Sequence, residues 1–282
     1  MILVTGATGQ VGIRLVNILT AAGQQVRAVV EPGGAAAVSG SDLVEQVEAD
    51  FADRDALERA AEGADRVFML VPPSPLQPSW QQNIVDAASS AELVVKLSAF
   101  DSGPDSRLTM GRWHHEGELA LRRAGLQHVI LRPQYFVQNL LHDESALRAG
   151  VLRTFIPPGL RIGMVDALDV AAVAAAVLIR PPSGNEILVP TGPRAVSTAD
   201  VAKVLSSALG VTVRETYLPP TSAMAALRAA ERPDWHAQDT IAICQTGSPQ
   251  ITDTVQTSVG RPPRDIVQVI NERFAGGRSS AS

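Results

Sequence analysis

The sequence predicts an α/β fold: a parallel sheet doubly wound by helices, followed by a smaller, irregular lobe. Three observations predict it. Short apolar runs alternate with amphipathic segments through the first half of the chain. The earliest run, Ile2 to Val4, leads into three glycines at three-residue spacing, Gly6, Gly9 and Gly12. The rhythm then breaks after about Tyr135, where Pro- and Gly-rich pieces such as Pro157-Pro158-Gly159 and Pro181-Pro182-Ser183-Gly184 appear.

Taken in order, Ile2 to Val4 reads as a buried strand. The glycines after it let the chain turn sharply and let backbone approach a ligand closely. Val11, Leu15, Ile18, Leu19 and Ala22 recur at helical spacing, and Gly23 suits the end of that helix. Strand, glycine turn and helix in this order form a cradle for a nucleotide diphosphate, with helix N–H groups aimed at the anion. Gln25 to Val30 is the second strand, and a Gly- and Ala-rich stretch runs from Pro32 to Gly40. Val44 to Val47 is a short strand leading to Asp50 and Phe51. Asp53 to Ala61 is helical, Arg66 to Val71 is a buried strand stopped by Pro72 and Pro73, and Pro78 to Ala91 is a helix. Leu93 to Leu97 is a strand, Thr109 to Ala124 a helix ended by Gly125, and His128 to Leu131 a strand closed by Arg132-Pro133.

Strands alternating with helices call for right-handed crossovers and a sheet covered on both faces. Ligands of such sheets sit beyond the carboxyl ends of the strands, so the loops after Leu70, Leu97 and Leu131 are expected to face one cleft. Further on, Val165 to Ile179 reads as a small-residue helix packed back on the sheet. Ser197-Thr-Ala-Asp200 is a capping-box-like start for a helix ending at Gly210. The expected division is a dinucleotide-binding domain over 1–150 and a substrate-binding lobe over 151–282 roofing the cleft, with a disordered tail at 276–282.

Composition narrows the function. A chain of 282 residues buries a substantial core, and its net charge of −5 gives no basic stripe for nucleic acid or an anionic membrane. The single cysteine, Cys244, excludes an internal disulfide and any multi-cysteine metal site. His114, His115 and Glu116 are adjacent on a helix and cannot all face one ion, so no metal is expected. No run of about 18 apolar residues suggests a membrane span, and no charged leader precedes Ile2. A soluble, cytoplasmic protein is expected; composition leaves its oligomeric state open.

These residues add up to a pattern. Thr5-Gly-Ala-Thr-Gly-Gln-Val-Gly12, Asp50-Phe51, Val67 to Pro73, Lys96-Leu-Ser-Ala99, His114-x-x-x-Glu118 and Leu131-Arg-Pro133 with Phe136 and Asn139 carry it. Val165-Asp-Ala-Leu-Asp169, Thr191-Gly-Pro193 with Ser197, and Gly260-Arg-Pro262 extend it. Over nearly its whole length the chain resembles the NmrA-like branch of the atypical short-chain dehydrogenase/reductases, NAD(P)-binding proteins of Rossmann fold. That family includes quinone, azo-dye and triphenylmethane reductases, ketoreductases, and redox sensors that bind the dinucleotide without turnover. The resemblance implies that Gly6, Ala7, Thr8, Gly9, Gln10, Val11 and Gly12 line the pyrophosphate. It sets Asp50 and Phe51 against the adenine, Val71 and Pro72 against the adenosine ribose, and adds His114 and Pro133 to the cofactor site. Read alone, Asp50 is equally a turn residue at a strand end.

The end of the second strand bears on which dinucleotide binds. It reads Val29-Val30-Glu31-Pro32, where the related NADP-binding members usually carry Arg in place of Glu31. A carboxylate there accepts from a ribose 2′-hydroxyl and repels a 2′-phosphate, which leans toward NADH over NADPH. The opposing reading has Glu31 bend away and leaves Arg27 or another cation to meet the phosphate.

Most short-chain dehydrogenases donate the proton from a Tyr whose pKa a Lys lowers. Ser98 matches the family's Ser, but counting back from Glu118 puts His114 at the Lys position and Met110 at the Tyr position. Three readings follow. His114 holds the nicotinamide ribose while Tyr135 or His115 supplies the proton; or the substrate carries its own acid, as a phenol beside a ketone does; or the protein is a redox sensor that binds a partner protein and catalyses nothing. Ser98, His114 and Tyr135 are therefore the expected catalytic residues. The plainer alternatives are His114 paired with Glu118 on the helix surface, Ser98 capping a loop, and Tyr135 packing between lobes. Phe100, Trp113, Tyr135 and Phe136 would grip a flat aromatic substrate. The expected activity is NAD(P)H-dependent reduction of an aromatic ketone or quinone by direct hydride transfer. A substrate-assisted polyketide ketoreductase of antibiotic biosynthesis is its specific version.

Overall fold

A computed structural model describes residues 1–33, 38 and 40–274. The expected disordered tail and part of the Pro32–Gly40 stretch lie outside them. In chain order the elements are β1 (Ile2–Val4), α1 (Gly12–Ala21), β2 (Val26–Val30), β3 (Val44–Glu48), α2 (Arg54–Ala61), β4 (Arg66–Met69) and α3 (Gln77–Ala87). Then come β5 (Leu93–Leu97), α4 (Thr109–Arg123), β6 (His128–Leu131), α5 (Glu144–Arg148), β7 (Val151–Thr154), α6 (Ala167–Ile179) and β8 (Glu186–Leu188). The remainder are α7 (Thr198–Leu209), β9 (Arg214–Tyr217), α8 (Pro220–Ala229), α9 (Asp234–Gln245), α10 (Thr254–Val259) and α11 (Ile266–Phe274).

Contacts divide the chain into two units, the first of Met1–Pro133, Ala167–Pro190 and Thr254–Gly260, the second of Gln134–Asp166, Thr191–Asp253 and Arg261–Ser282. The expected single boundary at 150 is thus replaced by a break after Pro133 and two returns of the chain. The returns have a physical cause. α6 is apolar nearly all round, with ten of its residues buried, so one covered face would not suffice. It packs on α1 and along β4, β5 and β6 of the first unit.

The first unit holds a seven-stranded, all-parallel sheet in the order β3-β2-β1-β4-β5-β6-β8. The chain runs outward from β1 to one side and from β4 to the other. Strand order therefore reverses between β1 and β4, and the carboxyl ends of β1, β4, β5 and β6 share one edge. β8 was not foreseen; its three half-exposed residues, Glu186 to Leu188, carry no periodic signal. β4 also ends at Met69 rather than Val71, and α3 ends at Ala87 rather than Ala91. On α1 the buried face is Gly12, Leu15, Val16 and Leu19, while the expected Ala22 is exposed beyond the helix end.

The second unit pairs β7 with β9 in parallel and is otherwise mostly helical, more regular than its Pro- and Gly-rich sequence predicts. Its core includes Leu141, Ile156, Leu205 and Ile270. α7 opens on the foreseen capping box between Ser197 and Asp200 and closes on Gly210 in the left-handed region (φ 70°).

One side chain locks the switch between β1 and β4. Thr5 Oγ1 donates to Leu70 O at 2.9 Å and accepts from Leu70 N at 2.9 Å. Thr5→Val is expected to lower stability by about 1 kcal/mol, because Leu70 N–H loses its acceptor. An unchanged urea midpoint would contradict this.

Candidate functional site

The glycine turn is built for close approach. Gly6 adopts φ +63°, and a Cβ there would stand 2.8 Å from Leu70 Cγ and 2.9 Å from Leu70 O. A Cβ on Gly12 would meet Gly6 O at 2.1 Å, so the first residue of α1 must be bare. Ala7 and Val11 point into the core, while Thr8 and Gln10 are exposed. The α1 N-terminus has no side-chain cap and no acidic residue in its first turn. Ile13 N–H already donates to Gly9 O at 3.1 Å; the other amides of the first turn are left for an anion, and nothing negative on the helix repels one. On these grounds the turn fits a dinucleotide diphosphate.

The strand ends supply the rest. Asp50 is exposed, and its carboxylate accepts from Ala52 N at 2.8 Å, the turn role read from its sequence alone. Phe51 is buried, its ring 6.0 Å from that of Trp80. Val71 is buried and Pro72 exposed just past β4, and Pro133 is buried just past β6. Glu31 is exposed directly after β2. Arg27, considered above as a phosphate partner, is committed elsewhere: Nε donates to Glu45 at 2.8 Å and Nη1 to the carbonyls of Ala60 and Glu62.

Beyond β5 lies a buried carboxylate. Glu118 on α4 is fully buried; Ser98 Oγ donates to its Oε1 at 2.7 Å, and Arg132 Nε and Nη2 reach its two oxygens at 3.0 and 2.5 Å. Burial works to raise the Glu118 pKa, but the Arg132 and Ser98 hydrogen bonds outweigh it and hold the group ionised below the usual carboxylate range. Ser98 therefore caps no loop group. Its one proton lies on Glu118, and toward any other group it can only accept. One carboxylate thus ties α4 to the ends of β5 and β6.

His114 sits one turn before Glu118 on α4 but does not pair with it, which overturns the surface-pair alternative. Its Nδ1 lies 3.2 Å from Lys96 Nζ and 3.4 Å from Gln77 Nε2. Lys96 rises from β5 with 1% of its surface exposed and also donates to Leu97 O at 3.3 Å. Gly117 makes the room: a Cβ there would meet Gln81 Oε1 at 2.1 Å and Lys96 Cε at 2.8 Å. Burial pushes the Lys96 pKa down to about 7, Glu118 opposing and Arg132 assisting. Burial first, and then the Lys96 charge, hold His114 well below the usual imidazole range. A lysine therefore does reach this position, from the strand instead of the helix. Its signal in the sequence was a lone cation inside the apolar run Leu93-Val-Val-Lys96-Leu97.

The remaining expected residues divide between the units. Phe100 and Trp113 are half-buried in the first, Trp113 O accepting from Gln81 Nε2 at 2.8 Å. His115 Nδ1 is buried without a hydrogen-bond partner. Tyr135 and Phe136 belong to the second unit. Tyr135 packs on that unit's core with its hydroxyl 4.0 Å from Cys244 Sγ, and burial raises its pKa well above the usual phenol value. Phe136 bridges to Val165. Among the described residues no group of three or more His, Cys, Asp or Glu is placed to hold a metal, and no helix is long and apolar enough to cross a membrane.

A sheet that switches at a glycine turn, with polar groups gathered at its carboxyl edge, defines a dinucleotide-binding α/β protein. The chain belongs to the NmrA-like family, whose model matches residues 1–258. It is 35% identical over 282 residues to a (4-alkanoyl-5-oxo-2,5-dihydrofuran-3-yl)methyl phosphate reductase of Streptomyces griseus, covering 94% of each chain. It is 30% identical over 275 residues to an NAD(P)H azoreductase of Xenophilus azovorans, covering 95% of this chain and 96% of the other. Among solved structures, an NADPH-dependent quinone oxidoreductase of Escherichia coli complexed with NADPH superposes with a TM-score of 0.84 at 24% identity. That match covers 97% of this chain and all of the other, and it establishes a common fold.

Glu118→Gln is expected to cost about 3 kcal/mol at neutral pH, because Arg132 loses its buried counter-charge. Glu118 titrates below its unfolded value of 4.5, so its contribution is complete above that pH and is lost as pH falls through the native value. Urea titrations across this range should show the acid-side loss in the parent chain and a smaller one in the variant.

Proposed function

We propose that the chain is an NAD(P)H-dependent reductase of flat, quinone- or dye-like substrates, with aromatic ketones, including polyketides, as the finer version. The observation that carries this reading is the pairing of a diphosphate-compatible glycine turn with the Lys96–His114 cluster at the end of the same sheet. The azoreductase and furanone reductase relatives support the reaction class. When bound, the dihydronicotinamide supplies a hydride.

The chain's own residues have the following parts. Gly6, Gly9 and Gly12 let the turn fold closely on itself and on Leu70, so that backbone at the start of α1 faces the diphosphate. Glu31, with Arg27 already committed to Glu45, favours a ribose 2′-hydroxyl and hence NADH. Phe100 and Trp113 offer ring surface to a planar substrate. Ser98 positions rather than protonates, since its hydrogen is given to Glu118. Lys96 occupies His114 Nδ1 from inside, so the neutral ring carries its proton on Nε2. Among the described residues no hydrogen bond engages Nε2, and in this reading it donates to the oxygen being reduced. Burial holds the Tyr135 phenol proton more tightly than in an ordinary phenol. A quinone needs little from either, because its reduced oxygen is a phenolate rather than a basic alkoxide.

The test is consumption of NADH and NADPH by the purified protein with quinones, azo dyes and aromatic ketones. Turnover is expected, and tight nucleotide binding with none across the panel would overturn the reading. Gly12→Ala should abolish nucleotide binding, seen by fluorescence titration. Glu31→Arg should shift the NADH/NADPH preference about tenfold toward NADPH, roughly 1.4 kcal/mol. His114→Ala should lower kcat about a hundredfold with nucleotide affinity changed far less.

A further inference from the structure

His114 alone is a weak acid. Burial and the neighbouring cation keep its ring neutral, and a neutral imidazole that gave up its Nε2 proton would become an imidazolate. A second group must return a proton to Nδ1 as the first leaves Nε2. Among the described residues, the only group with a proton to give that lies within hydrogen-bond distance of Nδ1, apart from the Gln77 amide, is Lys96 Nζ, 3.2 Å away. The residue type is itself a clue. Of the chain's 24 lysines and arginines only two are lysines, Lys96 and Lys203, and Lys203 is exposed on α7. At the fully buried position the chain carries lysine, which can become neutral where arginine cannot.

We propose that Lys96 is the proton store behind His114, a positioning residue that acts through the ring. The inference rests on the reductase reading. Hydride from the dihydronicotinamide brings both electrons to the substrate. The reduced oxygen takes the proton from His114 Nε2, Nδ1 takes one from the Lys96 ammonium, and Lys96 remains as a neutral amine until the ring returns a proton to it. His114 is neutral before and after, and its tautomer is inverted until Nε2 takes a proton from water and Nδ1 gives its own back to the Lys96 amine.

The surroundings suit this task. Glu118 and Arg132 are the charged groups facing the lysine from α4 and the end of β6, and they act in opposite directions. From α3 it is faced by neutral Gln77 and Gln81, whose Oε1 atoms are buried without a donor. Gly117 leaves the stem room to lie against α4. A native value of about 7 lets both forms of the amine exist at neutral pH.

The full chain should be labelled with 13Cε-lysine and 15N-histidine and titrated without nucleotide. Two lysine signals are expected, assigned by Lys203→Arg. One should titrate in the ordinary lysine range and that of Lys96 near pH 7, with the His114 nitrogens showing a protonated Nε2 and moving with the same midpoint. Lysines that titrate together, or a proton on Nδ1 below that midpoint, would overturn the relay. In quinone or ketone reduction, kcat/KM should fall as pH rises through the Lys96 midpoint. Lys96→Met should lose about a hundredfold in kcat and abolish that limb. Lys96→Arg keeps the charge but cannot release a proton, so it should not rescue; rescue would reduce Lys96 to a fixed charge. If either variant fails to fold, the titration of the parent chain decides alone. A failed titration with turnover intact overturns the relay and leaves the reductase. Absence of turnover overturns both, and the titration then shows whether the pair exists.

Discussion

The site depends on one buried carboxylate. Glu118 has no exposed surface and is held by Ser98 from the end of β5 and Arg132 from the end of β6. An ionised carboxyl in such a place is tolerable only when its lone pairs are filled, and here the geometry fills them. The consequence is positional. α4 is fixed against two strand ends, and the residue one turn earlier, His114, is fixed with it. Gly117 then allows the helix to come close enough for Lys96 to lie against its backbone.

The glycine turn depends on a different constraint, the lack of space. Gly12 starts α1 directly under the Gly6 carbonyl, and Thr5 anchors the turn to β4 through Leu70. Backbone packed this tightly leaves amides rather than side chains at the surface, which is what an anionic ligand requires. The glycine turn and the Lys96–His114 cluster are thus built by separate devices on one parallel sheet, one after β1 and the other after β5.

The first unit was largely legible because its signals are local. The apolar runs of β1, β2, β5 and β6, the left-handed glycines after α1 and α4, and the Ser197–Asp200 box of α7 each act within a few residues. β8 was illegible because three half-exposed residues carry no period, and the break after Pro133 was illegible because α6 rejoins the sheet from a distance. The Lys96–His114 cluster was half legible. His114 and Ser98 stood at marked positions, but counting along α4 looked for a lysine on the helix and missed one on the strand. Spacing reports neighbours along a chain, and Lys96 meets His114 across the gap between two elements.

The sequence by itself determined the alternation of strands and helices through β6, the glycine turn and the family, because propensity, glycine geometry and apolar periodicity are properties of short stretches. Only the tertiary structure decided which polar groups are buried together. It committed Arg27 to Glu45 and the proton of Ser98 to Glu118, and it brought Lys96 to His114 Nδ1. The physical reason is that a charge's energy is set by its surroundings in space. Desolvation, and the few partners that offset it, come from elements that fold together after being made far apart.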